Sequence, residues 1–177
     1  LQQKGMLDQS LDFLKASGKL SALLYREEIE RLLRTPGMGG FQLLDLHDYP
    51  GQGSALVGLL NQFWESKGLI TPEEFRGFCN DVTLLLKMPK RTWLNNENFS
   101  ASLVVPNYSI SDISDISVKW KVTANDKVIK EGILEGKTLK QGEVNKIGEL
   151  FFDLSTVSRA TKLNITLEEP KLKIKNA

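Results

Sequence analysis

The chain has 177 residues, of which 41% are hydrophobic and 25% charged, and its formal net charge is +1. This composition is ordinary for a globular protein, and the nearly neutral charge argues against nucleic acid or an anionic membrane as a partner. A single cysteine, Cys79, excludes an internal disulfide and a cysteine-based zinc site. There is no apolar run of about 18 residues to span a membrane. The start of the chain has no initiator Met and no apolar signal region, which favours a piece of a longer protein.

Apolar residues recur with helical spacing before about residue 90. The spacing and its breakers predict four helices, over residues 7–18, 22–33, 56–67 and 71–87. Gly18 is expected to end the first helix, and Trp64 to lie on the core face of the third. The fourth has the clearest start, because Thr71 and Glu74 fit a capping box around Pro72. On that helix, Cys79 is expected to be a buried structural thiol.

One stretch, from Gly39 to Gly53, predicts a strand that opens into a site. Residues 41–46 are mostly apolar and are predicted to form the strand. Asp45, His47 and Asp48 lie at its carboxyl end, and a Pro/Gly loop follows. Polar side chains at the end of a buried strand are costly to bury without partners, so they are candidates for binding. His47 is the only histidine in the chain. The Gly53-Ser54 pair, before the third predicted helix, is interpreted as a turn with a helix cap.

After Arg91 the period of the hydrophobic pattern changes to two. Strands are predicted around residues 101–105, 116–122, 128–129, 148–154, 163–167 and 172–174. Asn125-Asp126 is expected to turn the second of these strands into the third. Short strands with no helix between them favour an antiparallel β-sandwich of immunoglobulin-like type. The domain boundary is placed at Lys90, so that residues 1–89 are one domain and 90–177 another.

Some side chains of the second half have an expected role. Trp120 is predicted to be buried under Leu167 or Phe151. Trp93, at the domain junction, is a candidate exposed aromatic platform for a sugar. The repeat over residues 110–117 has two aspartates, but too few oxygen ligands for calcium, and is interpreted as an inter-strand loop. Three sequons, at Asn98, Asn107 and Asn164, matter only on a eukaryotic secretory route.

The order of elements resembles the end of a glycoside hydrolase family 2 catalytic domain, in which a TIM barrel precedes an immunoglobulin-like sandwich. The last barrel strand of that family commonly reads Gly-Phe, apolar residues, Asp, an aromatic and another Asp. Gly40-Phe41, Asp45 and Asp48 match this outline, and the run TPGMGGFQLLD from Thr35 to Asp45 looks like β-galactosidase-type members. The resemblance implies an α+β chain, with the C-terminal end of a (β/α) barrel in residues 1–89.

For the full-length enzyme, the resemblance implies retaining hydrolysis of a β-glycoside, with an oligosaccharide or glycoside as substrate. It also implies a periplasmic or secreted protein, and no cofactor or metal is expected. In this family the general acid and the nucleophile are glutamates on the fourth and seventh barrel strands, which would precede residue 1. Asn96-Glu97 comes closest to the family's Asn-Glu context, but it lies at the start of the sandwich half. The chain is therefore expected to be catalytically incomplete by itself.

The geometry of a strand limits what the polar residues at its end can do. Retaining glycosidases need two carboxyl groups roughly 5–5.5 Å apart, whereas Asp45 and Asp48 on one strand would lie roughly 10 Å apart on opposite faces. Asp45 and His47 would share a face, where they could bind a sugar hydroxyl or orient a glutamate from elsewhere. Alternatively, they pair with each other or cap loop amides. Leu46 stands where the family has an aromatic, which argues against sugar stacking there.

Two other classes of function remain open. The chain could be a non-catalytic module whose sandwich binds carbohydrate or packs against a partner domain. It could also be a free-standing α+β enzyme centred on Asp45 and His47, although the sequence has no nucleophile elbow and no Walker motif. A lone barrel-type strand over residues 41–46 has unpaired edges. The isolated chain is therefore expected to self-associate or to leave residues 1–88 poorly ordered unless the remainder of the barrel is present.

Overall fold

The structure, a computed structural model, describes residues 1–52 and 56–177. Over these residues it has two α-helices and seven β-strands, besides short 3₁₀ turns. The helices are α1 (Ser10–Leu33) and α2 (Pro72–Phe78), and the strands are β1 (Leu85–Lys87), β2 (Asn98–Pro106), β3 (Ile113–Ala124), β4 (Lys127–Leu139), β5 (Val144–Asp153), β6 (Leu163–Glu169) and β7 (Ile174–Asn176). Helices are thus followed by antiparallel strands, which confirms the α+β class.

The strands form two antiparallel sheets around a common core. One sheet has the order β1-β2-β5 and the other the order β4-β3-β6-β7. Phe99, Leu103 and Leu150 from the first sheet and Val118 and Leu139 from the second belong to one buried cluster. The strand β1 precedes Lys90, yet it pairs with β2 through residues 85–87.

Local sequence explains why the strands form where the pattern predicts them. In β3 the buried side chains of Ile116, Val118 and Val122 alternate with exposed lysines, as the period of two requires. Asn125 and Asp126 both have positive φ, at 46° and 63°, which suits a two-residue hairpin between β3 and β4. The predicted turn is confirmed. The repeat over residues 110–117 is only partly a loop, because β3 already begins at Ile113.

The packing of Trp120 is confirmed in part. The side chain is buried, and its register partner on β6 is Leu167, which is buried in the same cluster. The ring that stacks on it is Phe152, at 6.3 Å between centroids and 14° between planes. Phe151 was the wrong neighbour, since adjacent residues of a strand point to opposite faces and Phe151 is exposed.

A substitution at Gly132 tests this packing. On β4, Gly132 is the register partner of Trp120, and a Cβ there would lie 2.7 Å from Trp120 Cζ2. We expect Gly132→Ala to lower the free energy of unfolding by about 1–3 kcal/mol, because the indole has to move in a packed core. Gly39→Ala is the matched control, since a Cβ at Gly39 meets nothing within 4 Å. Equal stability of the two variants in urea would contradict the described packing.

The first two predicted helices are one helix, so the predicted end at Gly18 is wrong. A glycine inside a helix costs about 1 kcal/mol relative to alanine, which is too little to stop a helix by itself. Gly18 also has a packing role, because a Cβ there would lie 2.5 Å from Leu69 Cδ2. The C-terminal part of α1 lies on the sandwich, where Ile29 and Leu33 pack in a second buried cluster with Phe78 and other residues.

The capping box at the start of α2 is confirmed, but the helix is shorter than predicted. Glu74 N donates to Thr71 Oγ1 at 3.2 Å, and Thr71 N donates to Glu74 Oε2 at 2.8 Å. The helix ends at Phe78 instead of Lys87 because residues 85–87 pair with β2. Cys79 lies just after the helix and is half-buried in the second cluster, where burial raises the pKa of its thiol.

The third predicted helix does not form over residues 56–67. Asn61 Oδ1 accepts hydrogen bonds from the backbone N–H groups of Phe63 and Glu65, and so offers the chain a turn in place of helical bonds. Trp64 has a positive φ of 67° and is 62% exposed, so its predicted place on a core face is wrong. The Gly53-Ser54 turn and cap lie outside the described residues.

Residues 41–46 are not a strand, which corrects the prediction of a barrel-type strand. Gly40 and Asp45 both have positive φ, at 130° and 60°, and break the extended path. No neighbouring strand within the described residues supplies a ladder for this segment. One parallel bridge, between His47 and Leu60, follows it. An isolated strand without partners leaves its backbone groups unpaired, so it has little reason to persist.

Candidate functional site

Asp48, one of the three predicted site residues, holds a loop together. Its side chain is 94% buried, and Asp48 Oδ1 accepts hydrogen bonds from Gly58 N at 3.0 Å and Lys67 Nζ at 2.6 Å. The backbone N–H of Asp48 also donates to Leu60 O at 3.0 Å. These contacts tie residues 46–48 to residues 58–67. In this arrangement Asp48 Oδ1 already has two donors.

His47 and Asp45 lie beside Asp48, but not on a common strand face. His47 Nδ1 is 2.7 Å from Asp48 O, and its ring lies 4.4 Å from that of Trp64 between centroids, tilted by 40°. Asp45 O accepts a hydrogen bond from Tyr25 Oη at 3.2 Å, which joins the loop to α1. Burial raises the pKa of the Tyr25 hydroxyl, and the negative charge of Asp45 raises it further. Because residues 41–46 are not a strand in this structure, Asp45 and His47 do not share a strand face here, and their predicted place in a barrel stays a prediction.

Removing the cation that faces Asp48 tests this assembly. We expect Lys67→Met to lower the free energy of unfolding by about 1–3 kcal/mol, because the buried carboxylate then loses its charged donor. Lys19→Met is the matched control, since Lys19 is exposed on α1 and forms none of the ion pairs of the described residues. Limited proteolysis should cut the Lys67→Met protein faster between residues 46 and 68. Equal cleavage of the two variants would count against an anchoring role for this ion pair.

Trp93 is half-buried, which corrects the expectation of an exposed ring. Its ring lies 5.3 Å from that of Phe99 between centroids, and Lys90 Nζ lies 4.8 Å from the ring centroid on its face. Trp93 Nε1 is buried and has no acceptor within the described residues. A buried donor without an acceptor carries a desolvation cost of about 1–3 kcal/mol.

A buried charged cluster, the Glu30 cluster, was missed by sequence reasoning. It consists of Arg26 and Glu30 on α1, Arg34 directly after the end of α1, and Asn176 on β7. Glu30 Oε1 accepts from Arg26 Nε at 2.8 Å and from Asn176 Nδ2 at 3.2 Å, and Glu30 Oε2 lies 3.4 Å from Arg34 Nη1. Glu30 is only 5% exposed. The spacing of four residues between the charges was a visible signal, but on a helix it is more often a solvated face.

The Glu30 cluster reaches the sandwich through two backbone carbonyls. Arg34 Nη1 donates to Leu86 O at 3.0 Å, and Asn176 Nδ2 donates to Leu84 O at 2.8 Å. Arg26 Nη2 donates to Asn176 Oδ1 at 2.8 Å. The cluster thus joins α1, the β1 region and β7 with charge-assisted hydrogen bonds, which are the stronger kind.

A cavity of about 830 Å³ lies between α1 and the sandwich, and the Glu30 cluster forms part of its wall. Other lining residues include Glu27, Arg91, Trp93, Leu94, Arg159 and Lys162. Glu27 and Arg91 form an ion pair across the gap between the helix and the chain that follows β1. None of the predicted site residues Asp45, His47 and Asp48 lines this cavity, whereas Trp93, the predicted aromatic platform, does.

The sequons differ in their surroundings. Asn107 is fully buried, and Asn107 Nδ2 donates to Ser111 O and Leu139 O, each at 3.0 Å. Its amide is therefore occupied in the folded protein. Asn98 and Asn164 are exposed.

Comparison with known proteins gives one family match. Residues 97–177 match the model of a domain of unknown function, DUF8488. The match takes in β2 to β7 and leaves out α1, α2 and β1. No curated protein matches the chain. In the part of the chain that the structure describes, no helix is long and apolar enough to cross a membrane, and no three His, Cys, Asp or Glu side chains are grouped to hold a metal ion.

Proposed function

We propose that the chain is the closing part of a glycoside hydrolase that resembles family 2. Its helical half, residues 1–89, would complete a TIM barrel, and residues 90–177 would form an immunoglobulin-like sandwich after the barrel. In this proposal the helical half docks on the remainder of the barrel, which supplies the catalytic glutamates. The observation that carries the proposal is the uncovered apolar surface of the helical half.

That surface extends over α1 and the loops that follow it. Large apolar side chains that are more than half exposed include Leu7, Leu11, Leu14, Leu20, Leu24, Leu44, Leu56, Phe63 and Trp64. Large apolar side chains exposed in such number are typical of a surface that another polypeptide, a membrane or a ligand covers, and the proposal takes the first of these. After residue 66 far fewer large apolar side chains are exposed, and the sandwich has its own closed core. The asymmetry supports a complete second half and an incomplete first half.

Two features favour a barrel as the missing cover. The run from Thr35 to Asp45 resembles the last barrel strand of the family, and it lies within this uncovered half. The bridge between His47 and Leu60 is parallel, whereas the strand pairs of both sheets are antiparallel. Parallel pairing is the type that a TIM barrel uses. In the proposal, residues 41–46 become a strand only when neighbouring barrel strands supply its hydrogen bonds.

The proposed role of the polar residues follows from their place at the end of that segment. In the assembled barrel, Asp45 and His47 would face the substrate at the C-terminal rim, where TIM-barrel enzymes bind their ligands. They would bind a sugar hydroxyl or orient a glutamate, while two glutamates from the remainder of the barrel perform the retaining double displacement. Asp48, with Lys67, would hold the loop of the rim in place. A periplasmic or secreted location stays a prediction.

An activity assay tests the proposal. The chain of residues 1–177 is expected to give no turnover of aryl β-glycosides, since the glutamate pair is absent from it. The same chain joined to the polypeptide that its gene encodes before Leu1 is expected to hydrolyse them. In that longer protein, Asp45→Asn should lower kcat/KM roughly tenfold or more, because a charged hydrogen bond to substrate is lost. Turnover by residues 1–177 alone would contradict the proposal.

A second candidate is a non-catalytic module whose sandwich binds carbohydrate or packs against a partner domain. The observation that favours it is the self-contained core of the sandwich, together with a family match confined to residues 97–177. Under this alternative the longer protein has no glycosidase activity. Replacing the exposed leucines of α1 with polar residues would then leave the function of the longer protein unchanged.

A further inference from the structure

We propose that the cavity between α1 and the sandwich binds a small amphipathic carboxylate, with its apolar body inside and its carboxylate at Arg159 and Lys162. This site lies apart from Asp45, His47 and Asp48, and it does not depend on the proposed glycosidase function. The proposal stands on the size of the cavity, its apolar wall and its excess of cations.

The size and the wall suit a small organic molecule. A volume of about 830 Å³ is within the roughly 300–1,000 Å³ of small-molecule sites. Leu84 and Phe99 belong to the floor, since both are almost fully buried. Leu23 on α1 and Leu94 line the same cavity and are 57% and 63% exposed. An apolar ligand body would cover them and gain the free energy of removing their surface from water.

The charges of the lining favour an anion. The lining contains the cations Arg26, Arg34, Arg91, Arg159 and Lys162 and the anionic side chains of Glu27 and Glu30. Arg26 and Arg34 are held by Glu30, and Arg91 is held by Glu27. Arg159 and Lys162 form no ion pair among the described residues and are both exposed. They are therefore available for charge-assisted hydrogen bonds to a ligand carboxylate. The net charge of the whole chain is only +1, so the excess of cations is a local property of the cavity.

Trp93 adds a spectroscopic reporter to the cavity. Its ring lines the cavity, and Trp93 Nε1 is buried without an acceptor in the described part of the chain. Since this nitrogen is closed to a molecule the size of water, a ligand in the cavity would contact the ring of Trp93 rather than the nitrogen itself. The indole N–H also provides a signal in NMR spectra that reports directly on the cavity.

The test is a titration of the full 177-residue chain with octanoate, followed by the indole N–H resonance of Trp93. The Trp93→Phe variant assigns that resonance among the three tryptophans. Octylamine, which has the same chain length and the opposite charge, is the control ligand. We expect octanoate to shift the resonance to saturation, and octylamine to bind at least tenfold more weakly, because the lining is cationic.

Two double variants test the role of the cations. Arg159→Gln with Lys162→Gln should weaken octanoate binding roughly tenfold or more, because the charge-assisted contacts are lost. Lys127→Gln with Lys130→Gln removes two exposed charges away from the cavity and should leave binding unchanged. The proposal is overturned if octanoate and octylamine bind equally, if both double variants bind like the original protein, or if the Trp93 resonance does not move.

Discussion

Replacing Glu30 with alanine is expected to lower the free energy of unfolding by about 3–5 kcal/mol. Glu30 is 5% exposed and holds Arg26, Arg34 and Asn176, so its removal leaves two guanidinium groups without their carboxylate. Removing one partner of a buried ion pair costs more than the pair contributes, because the remaining charge stays desolvated. Urea unfolding followed by circular dichroism measures the change.

Two variants separate this effect from general effects on the helix. Glu30→Gln keeps a hydrogen-bonding side chain of the same size and should lose less stability than Glu30→Ala. Glu28→Ala removes an exposed glutamate from the same helix and should change stability by less than about 0.5 kcal/mol. If Glu30→Ala and Glu28→Ala had the same stability, the Glu30 cluster would not be joining α1 to the sandwich.

Replacing Phe78 with alanine in the otherwise unchanged protein is expected to lower the free energy of unfolding by about 3–5 kcal/mol. Phe78 is 1% exposed in the cluster that joins α1 and α2 to the first sheet, together with Ile29 and Val104. Its ring lies 5.0 Å from that of Phe75 and 5.8 Å from the guanidinium carbon of Arg26, so truncation opens a cavity beside the Glu30 cluster.

Phe151→Ala is the matched control, since Phe151 is 66% exposed on β5. We expect it to change the free energy of unfolding by less than about 0.5 kcal/mol. A loss in Phe78→Ala no larger than that in Phe151→Ala would mean that the helices do not pack on the sheet as described.

The parts of the fold that local chemistry determines could be predicted from the sequence. The hairpin at Asn125-Asp126 and the capping box at Thr71 depend on residues within a few positions, so their signals are visible in the chain itself. The alternation of buried and exposed residues in β3 likewise needs no knowledge of distant partners.

The wrong predictions depended on partners that the pattern does not reveal. Asn61 takes two backbone donors and replaces the predicted third helix with a turn, although the apolar spacing around it is helical. Leu69 fills the space beside Gly18 and makes a glycine useful inside α1. Residues 41–46 have the composition of a buried strand, but no ladder forms in the described chain to hold one.

The Glu30 cluster and the cavity could not be predicted from the sequence because their residues lie far apart along the chain. Glu30 and Asn176 are separated by 146 positions, and only the paired sheets bring them together. Charges at a spacing of four on α1 predict a solvated face, whereas the apolar neighbours Ile29 and Leu33 put that part of the helix against the sandwich. The polar end of the predicted strand pointed to Asp45 and His47, which do not line the cavity.

The central claim is that the sandwich is complete while the helical half lacks its covering surface. Hydrogen–deuterium exchange of the 177-residue chain, followed by mass spectrometry, tests this most directly. The account predicts that β2, β3 and β5 exchange only through global unfolding, whereas residues 10–24 and 56–66 exchange several orders of magnitude faster. In the longer barrel protein that the proposal implies, those two segments should become as protected as the sandwich. Equal protection of both halves in the 177-residue monomer would contradict the claim.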